Sequence, residues 1–593
     1  MSVFYAFDGF IAGGGANSHF PRTSWDYNLN VLHPVGKHQL SFGSNFRAVT
    51  LDESNDSGQN PAFLFIGLTS LILYGPLNDN PFADFVMGNP FEFVQADGIY
   101  SKVSGKLFGL FAEDKYRASS RLTLTGGLRW DPYFPFTPAN NHLDCWNPGQ
   151  QSGVFHTAPL GLIYPGDPGC SAGGATTKYG LVQPRVGLAY QLNSNGSAAL
   201  RAGWGMYATQ AQLQSLVGFS APPFVRSFVE IGNFFQSVDD PYGSNGVSNP
   251  FADGFHNASY VPPADVTFPF STGFGVSSIN RNFQPAYTEQ WTLSLQKAFT
   301  HADSFELAYV GSQSIHVGQT YDANLPVYGP GASQGNENER RPYYSLGLER
   351  ILDLKSDSTG QYNGLNATYN HRGVGGLDLS TSFNWSKCLD DGSQPATTGA
   401  VTANGDNPRL LHGRCDFDQN LTSRSTVIWN SPNLKDHSAW VRATAGSWTV
   451  SGLVVADAGM PYTVWDGGDN SMTGNGHDMA DVVPGVSPTA GATKLRKLNY
   501  AAFTNNAPGT YGNSGRNSFR SDPWIHVDPA VMKTFPLIKE RTQLTFRAEA
   551  FNVLNHPNFY GPASDYNSGP LNFGVITSAR DPRILQFALK LGF

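Results

Sequence analysis

Large side chains alternate at the end of the chain. In RILQFALKLGF, Leu585, Phe587, Leu589, Leu591 and Phe593 share one parity, and Gln586, Ala588, Lys590 and Gly592 share the other. Successive side chains of a strand point to opposite faces, so this spacing predicts a ribbon with one oily and one wettable side. The pattern recurs. In RLTLTGGLRWD, Leu122, Leu124, Leu128 and Trp130 oppose Arg121, Thr123, Thr125, Arg129 and Asp131. TQLTFRAEAF sets Leu544, Phe546, Ala548 and Ala550 against Thr545, Arg547 and Glu549, and LDLSTSFNWS and QWTLSLQKAF behave alike. Weaker copies lie near 39–47, 185–192, 200–207, 305–311 and 421–429, giving about sixteen candidate strands.

The connections follow a rhythm of their own. Short turns, such as NSNG, THAD and HRGVGG, alternate with long polar stretches near 132–181, 209–286, 314–360, 388–420 and 458–522. Long structureless loops normally argue against an assignment of elements. They fit a barrel whose long loops all leave one end, as in outer-membrane barrels. With about sixteen strands the interior is too wide for side chains to fill, so the apolar face has only lipid to meet. Trp130, Trp204, Trp291, Trp385, Trp429 and Trp440 fall near predicted strand ends, where an aromatic girdle would lie. The expected fold class is therefore all-β, a transmembrane antiparallel β-barrel with long extracellular loops.

Composition narrows the field further. Of 593 residues, only 14% are charged and 13% are aromatic, and the 65 glycines and 39 prolines suit strands joined by turns rather than a helix-rich enzyme. A net charge of -8 without a basic stretch offers nucleic acid no electrostatic footprint. AFLFIGLTSLILYG is too short and too interrupted for a spanning helix. MSVFYAFDGF lacks the basic region and continuous apolar core of a signal peptide.

The closing region, LTFRAEAFNVLNHPNFYGP followed by ARDPRILQFALKLGF, resembles the end of the Oar-like branch of TonB-dependent outer-membrane receptors. VGKHQLSFGSNFR, NPFADFVMG, FAEDKYRASSRLTLTGGLRWD, QPRVGLAYQL, YTEQWTLSLQKAF, YNGLNATYNHR and VSGLVVADAGMPYTV fit the same family in order. The resemblance implies a plugged 22-stranded barrel in a Gram-negative outer membrane, driven by TonB. It also implies that Phe593 belongs to a terminal signal read by the barrel-assembly machinery. Family members carry a plug, a TonB-contacting segment and early strands ahead of the counterpart of VGKHQLSFGSNFR. The expectation is thus a truncated chain, with residues 1–23 an irregular remnant and 24–593 an incomplete receptor barrel. The TonB complex would be reached only through the absent segments.

Chemistry is sparse. Cys145 and Cys170 lie in one predicted external loop, and Cys388 and Cys415 in another. Each pair would close a loop of about 25 residues, worth roughly 3 kcal/mol if bonded, and an exported location permits this. DGGDNSMTGNGHD is rich in oxygen ligands but lacks EF-hand spacing, and its residues also favour turns. Asp390 and Asp391 are expected to be solvated charge in a polar loop. No HExxH, GxSxG or phosphate loop occurs, so no enzyme, metal or cofactor is expected. Arg129, Asp131, Arg547, Glu549 and Lys590 fall on the wettable parity and would face the lumen, lining the pore, gripping a plug or pairing across strands. The function implied is active uptake of a bulky nutrient: a siderophore, glycan or peptide. A passive porin, a surface scaffold and a soluble secreted all-β glycan-binding protein are the alternatives.

Overall fold

The computed structural model describes all residues except 1, 7–8, 76–79, 210–221, 233–235, 244–245, 269–273, 394–407, 475, 477 and 539–541. Its frame is one antiparallel ladder of fifteen long strands: β1 (Arg22–Val35), β2 (His38–Asn55), β3 (Ile99–Arg117), β4 (Leu122–Trp130), β5 (Val182–Gln191), β6 (Ala198–Ala208), β7 (Tyr287–Ala298), β8 (Asp303–Asp322), β9 (Leu348–Val374), β10 (Leu377–Asp390), β11 (Leu421–Asn430), β12 (Trp448–Asp457), β13 (Trp524–Ile538), β14 (Thr542–Phe551) and β15 (Ile584–Gly592). Each strand pairs with the next in chain order. Short and long connections alternate throughout. The two-residue turn at 36–37 uses Gly36 at φ +60°, a conformation glycine adopts at little cost.

The two faces divide as the alternation demands. Trp25, Tyr27, Leu29 and Val31 of β1, Leu124 and Leu128 of β4, Leu293 and Leu295 of β7, and Phe383 and Trp385 of β10 are all exposed large apolar side chains. So are Leu585, Phe587, Leu589 and Leu591 of β15. No helix among the described residues is long and apolar enough to cross a membrane. The apolar band suits a lipid-facing surface, and the antiparallel ladder pairs the backbone of β2 to β14 within the protein, as a bilayer demands. The tryptophans sort by height. Odd strands run from the long-loop end to the short-turn end, which places Trp25, Trp130, Trp204, Trp291 and Trp385 toward the former. Trp429, Trp440 and Trp448 lie toward the latter. This is the double girdle that a barrel places at its two interfaces.

Several expectations are corrected. The expected irregular remnant contains strands: Ser2–Ala6 and Gly9–Gly13 pair antiparallel and join Ala62–Phe65, Glu92–Ala96 and Ser227–Ile231 in a separate five-stranded sheet. The barrel begins at Arg22 rather than at 24. Nearly half of 314–360 is strand, because β8 and β9 stay paired well beyond the apolar band, where their mixed polar and apolar sequence disguised them as loop. Two further long connections, 56–98 and 552–583, had been missed. The first carries the helices Leu68–Tyr74 and Pro81–Met87, so AFLFIGLTSLILYG is a strand followed by a helix.

Among the described residues no register joins β1 to β15, and β1 is exposed along its whole length. Being first and fifteenth in an antiparallel ladder, these strands run the same way. All-antiparallel closure between them therefore takes an odd number of further strands, consistent with the even totals of bacterial barrels.

Candidate functional site at the barrel mouth

The wettable faces carry paired polar side chains. Arg129 Nε donates to Asp131 Oδ2 at 2.7 Å, Gln183 Nε2 donates to the same oxygen at 2.5 Å, and Arg129 Nη2 reaches Asn45 Oδ1 at 2.5 Å. Arg47 pairs with Asp26 on the neighbouring strands. Arg185 sits 4.4 Å over the Tyr207 ring, and Arg547 Nη2 donates to Glu549 Oε1 at 2.5 Å. Lys590 lies opposite Thr545, on the face of Arg547 and Glu549. These charges are matched locally, Arg129 with Asp131 and Arg547 with Glu549 along one segment and Arg47 with Asp26 across strands. They share the wettable parity and compose no nucleophile–base pair among the described residues.

Toward the long-loop end the same faces turn apolar, and the 131–181 connection folds over them. Val49, Leu51 and Val103 of β2 and β3 form one core with Tyr133, Phe136, Leu143, Cys145, Ile163 and Cys170. Gly105 makes room for this. A Cβ there would stand 1.7 Å from the Phe136 ring, so only glycine lets the ring rest on the strand. The sulfurs of Cys145 and Cys170 are bonded inside this core, with Cα atoms 5.7 Å apart, and Cys388 and Cys415 are bonded with Cα atoms 5.4 Å apart.

Asp144, beside the first bridge, is fully buried. Neither of its oxygens has a hydrogen-bond partner in another residue, and burial pushes its carboxyl well above the usual range against the pull of its own backbone N–H. A carboxyl raised on folding stabilises the fold fully below its unfolded pKa, and that contribution is lost as pH climbs toward the folded value. The wild-type cap should therefore lose protease resistance as pH rises from about 4 toward neutrality, by up to about 1.4 kcal/mol per pH unit within the shifted window. Asp144→Asn should flatten that slope. Parallel pH profiles for the two proteins would contradict a buried titrating carboxyl.

Above this core lies a cavity of about 750 Å³, walled by four segments: 146–148, 280–282, the outer ends of β8 and β9 with their connection, and the 471–511 region. Trp146 meets Tyr343 edge to face, with centroids 4.8 Å apart. Asp353 accepts from Asn280 Nδ2 at 2.9 Å, and burial pushes its carboxyl up. Lys355 Nζ lies 4.9 Å from the Tyr321 ring centroid. Asp322, in the wall, is buried and held by Arg341 Nη1 at 2.7 Å. Aromatic surface with a few oriented polar groups in a concavity of this size is what small-molecule sites present.

A family model for the outer membrane beta barrel domain matches residues 2–586. The chain belongs to this family. As an outer membrane β-barrel protein it resides in the outer membrane, and it is not an enzyme. Solved structures similar to this barrel include the outer membrane transporter YddB from Escherichia coli (10% identity, TM-score 0.44, 98% of this chain and 54% of that one). The ferric yersiniabactin uptake receptor FyuA from Yersinia pestis gives 8% identity and a TM-score of 0.40 over 100% of this chain and 55% of that one. BauA, the ferric preacinetobactin receptor from Acinetobacter baumannii, gives 11% and 0.42 over 99% and 56%. The barrel spans about half the length of these proteins. No curated protein matches it closely enough to count as a relative.

The described residues of the segment Asp466–Asp478 hold turns together. Asp469 accepts from Ser471 Oγ and from the Thr473 and Gly474 amides, and Asp478 accepts from the Ser471 amide. Among the described residues no three His, Cys, Asp or Glu side chains are grouped to hold a metal. Asp390 and Asp391 are not free solvated charge: Arg516 pairs with the first, and His412 Nδ1 lies 2.7 Å from the second. Sequence reasoning missed the cavity residues. Trp146 had one usable signal, its place directly after Cys145. Tyr321 and Asp353 had none, being hidden in a stretch taken for loop.

Proposed function

We propose that this barrel and its folded cap form the membrane-spanning part of a receptor for active uptake of a bulky nutrient, such as a siderophore, glycan or peptide. The observation that carries the reading is the cavity at the mouth of a wide, wet, outward-apolar sheet. A structural barrel has no use for a walled recess of aromatic and polar groups there. A passive pore would keep its mouth clear, whereas here the 131–181 connection packs across it. In this reading energy from the TonB complex reaches the barrel through a plug and coupling segment additional to it. Phe593, at the exposed terminus of β15, is the aromatic offered to the barrel-assembly machinery.

Expression in a Gram-negative host tests it. The chain should partition with outer-membrane lipid, migrate faster unheated than boiled on a gel, and permit growth on a cap-binding nutrient only with TonB intact. Recovery as a folded monomer in detergent-free buffer would sink the membrane assignment. Growth independent of TonB would favour a passive porin.

A further inference from the structure

The mouth cavity's charge and surface chemistry narrow what it can hold. Its aromatic wall is built with care for space: Gly161 and Gly509, at φ +99° and +78°, sit where a Cβ would come 2.6 Å from the Trp146 ring and 2.5 Å from the Tyr328 ring. Both rings thus rest against bare backbone. The polar lining includes amides and a carboxylate, Asn280, Asn282 and Asp353, beside the hydroxyls of Ser471 and Thr473 and the cations Arg281 and Lys355. Formal charge nearly cancels. Arg281 and Lys355 face Asp353 and Asp322, and the charge of Asp322 is already matched by Arg341 behind it. Counting Arg341, the recess has one cation in excess, so a ferric chelate bearing several negative charges would leave most of that charge unpaired there, which is costly. A sugar ring offers what this lining lacks: apolar C–H faces for indole and phenol rings, and paired hydroxyls that both donate and accept for amide and carboxylate groups.

We propose that the cavity binds a short neutral oligosaccharide, its ring faces against Trp146, Tyr328 and Tyr343 and its hydroxyls on Asn280, Asn282 and Asp353. This rests on the uptake reading and names its substrate class. Asn282 is exposed, and its side chain makes no hydrogen bond to any described residue, so it is ready to meet a ligand.

The test uses the full chain in detergent micelles, titrated with neutral gluco-, manno-, xylo- and chito-trisaccharides, with a ferric tris-catecholate and with a tripeptide. Tryptophan fluorescence and calorimetry are the readouts. At least one trisaccharide should bind saturably and quench fluorescence. Trp146→Ala should weaken it about tenfold, the scale of a lost aromatic contact, and Trp146→Phe should restore most of the affinity. Asn282→Ala, which disturbs no packing, should weaken it severalfold. The proposal is overturned if no neutral trisaccharide binds, or if binding survives both Trp146→Ala and Asn282→Ala unchanged. Binding of the ferric complex or the tripeptide in place of every sugar overturns the sugar assignment and leaves uptake intact. Failure of the uptake reading shows separately, as growth on the bound nutrient that does not depend on TonB.

Discussion

Arg341→Met is expected to destabilise the outer cap by about 3–5 kcal/mol, the cost of breaking a buried ion pair from one side. Arg341 and Asp322 have side chains exposed by only 2% and 0%. The guanidinium also donates from Nη1 to the Asn324 carbonyl at 2.9 Å and from Nε to Asn338 Oδ1 at 3.0 Å, so one side chain ties the end of β8 to the 323–347 connection. Without it, Asp322 keeps only the Asn324 and Ile351 amides as donors, which cannot balance a buried negative charge. The pair stands in the wall of the mouth cavity, so stability and binding should fall together. Denaturant titration with limited proteolysis reads this: the 323–347 connection should be cut at lower denaturant while the heat-modifiable mobility of the barrel persists. Arg341→Met combined with Asp322→Asn should recover most of the loss, because Asn still accepts from the two amides and needs no counter-charge. A single-variant loss below about 1 kcal/mol would mean that water reaches the pair and that the cavity's wall is open.

The barrel was legible in the sequence because its information is local. A period of two is written into β4, β7, β10, β14 and β15 one residue at a time, and the alternation of short and long connections repeats it at larger scale. What escaped was set by contacts distant in sequence. Residues 131–181 read as polar and Gly/Pro-rich, yet Phe136, Leu143 and Ile163 bury against Val49, Leu51 and Val103 across the sheet. A second core joins Phe155, Leu162 and Tyr164 to Phe224, Phe268, Leu348 and Ile351. No window of ordinary width contains such a core, so sparse apolar residues among turns look like loop. The outer halves of β8 and β9 escaped for another reason. They pack against the cap, where the lipid-driven alternation no longer applies, and Leu348, Ile351 and Leu354 serve the cap's cores. The charges of the wettable face were legible in face but not in partner: Arg129 finds Asn45, and Asp131 finds Gln183, on strands that the sequence could not order.

The barrel reading stands or falls on which face meets lipid, and β15 tests that most directly. Leu589→Arg is expected to cost about 2–4 kcal/mol of folding stability in lipid vesicles, the price of a cation near the bilayer midplane. Leu589 is 70% exposed, lies in the middle of a nine-residue strand, and shares its face with Leu585, Phe587 and Leu591. Its cross-strand partner is Phe546, so an arginine there finds apolar side chains and acyl chains rather than a counter-ion. One residue on, the chemistry inverts. Lys590 opposes Thr545 and faces the wet side with Arg547 and Glu549, so Lys590→Gln should cost less than about 1 kcal/mol, as for ordinary solvated positions. Because β15 has an open edge, Leu293→Arg supplies the same contrast in β7, which is paired on both sides. Reversible denaturant unfolding in lipid vesicles reads all three variants. Equal tolerance at 589 and 590, with Leu293→Arg equally mild, would mean that water and not lipid covers the apolar face, and the barrel would then have to be refolded on paper as a soluble sandwich.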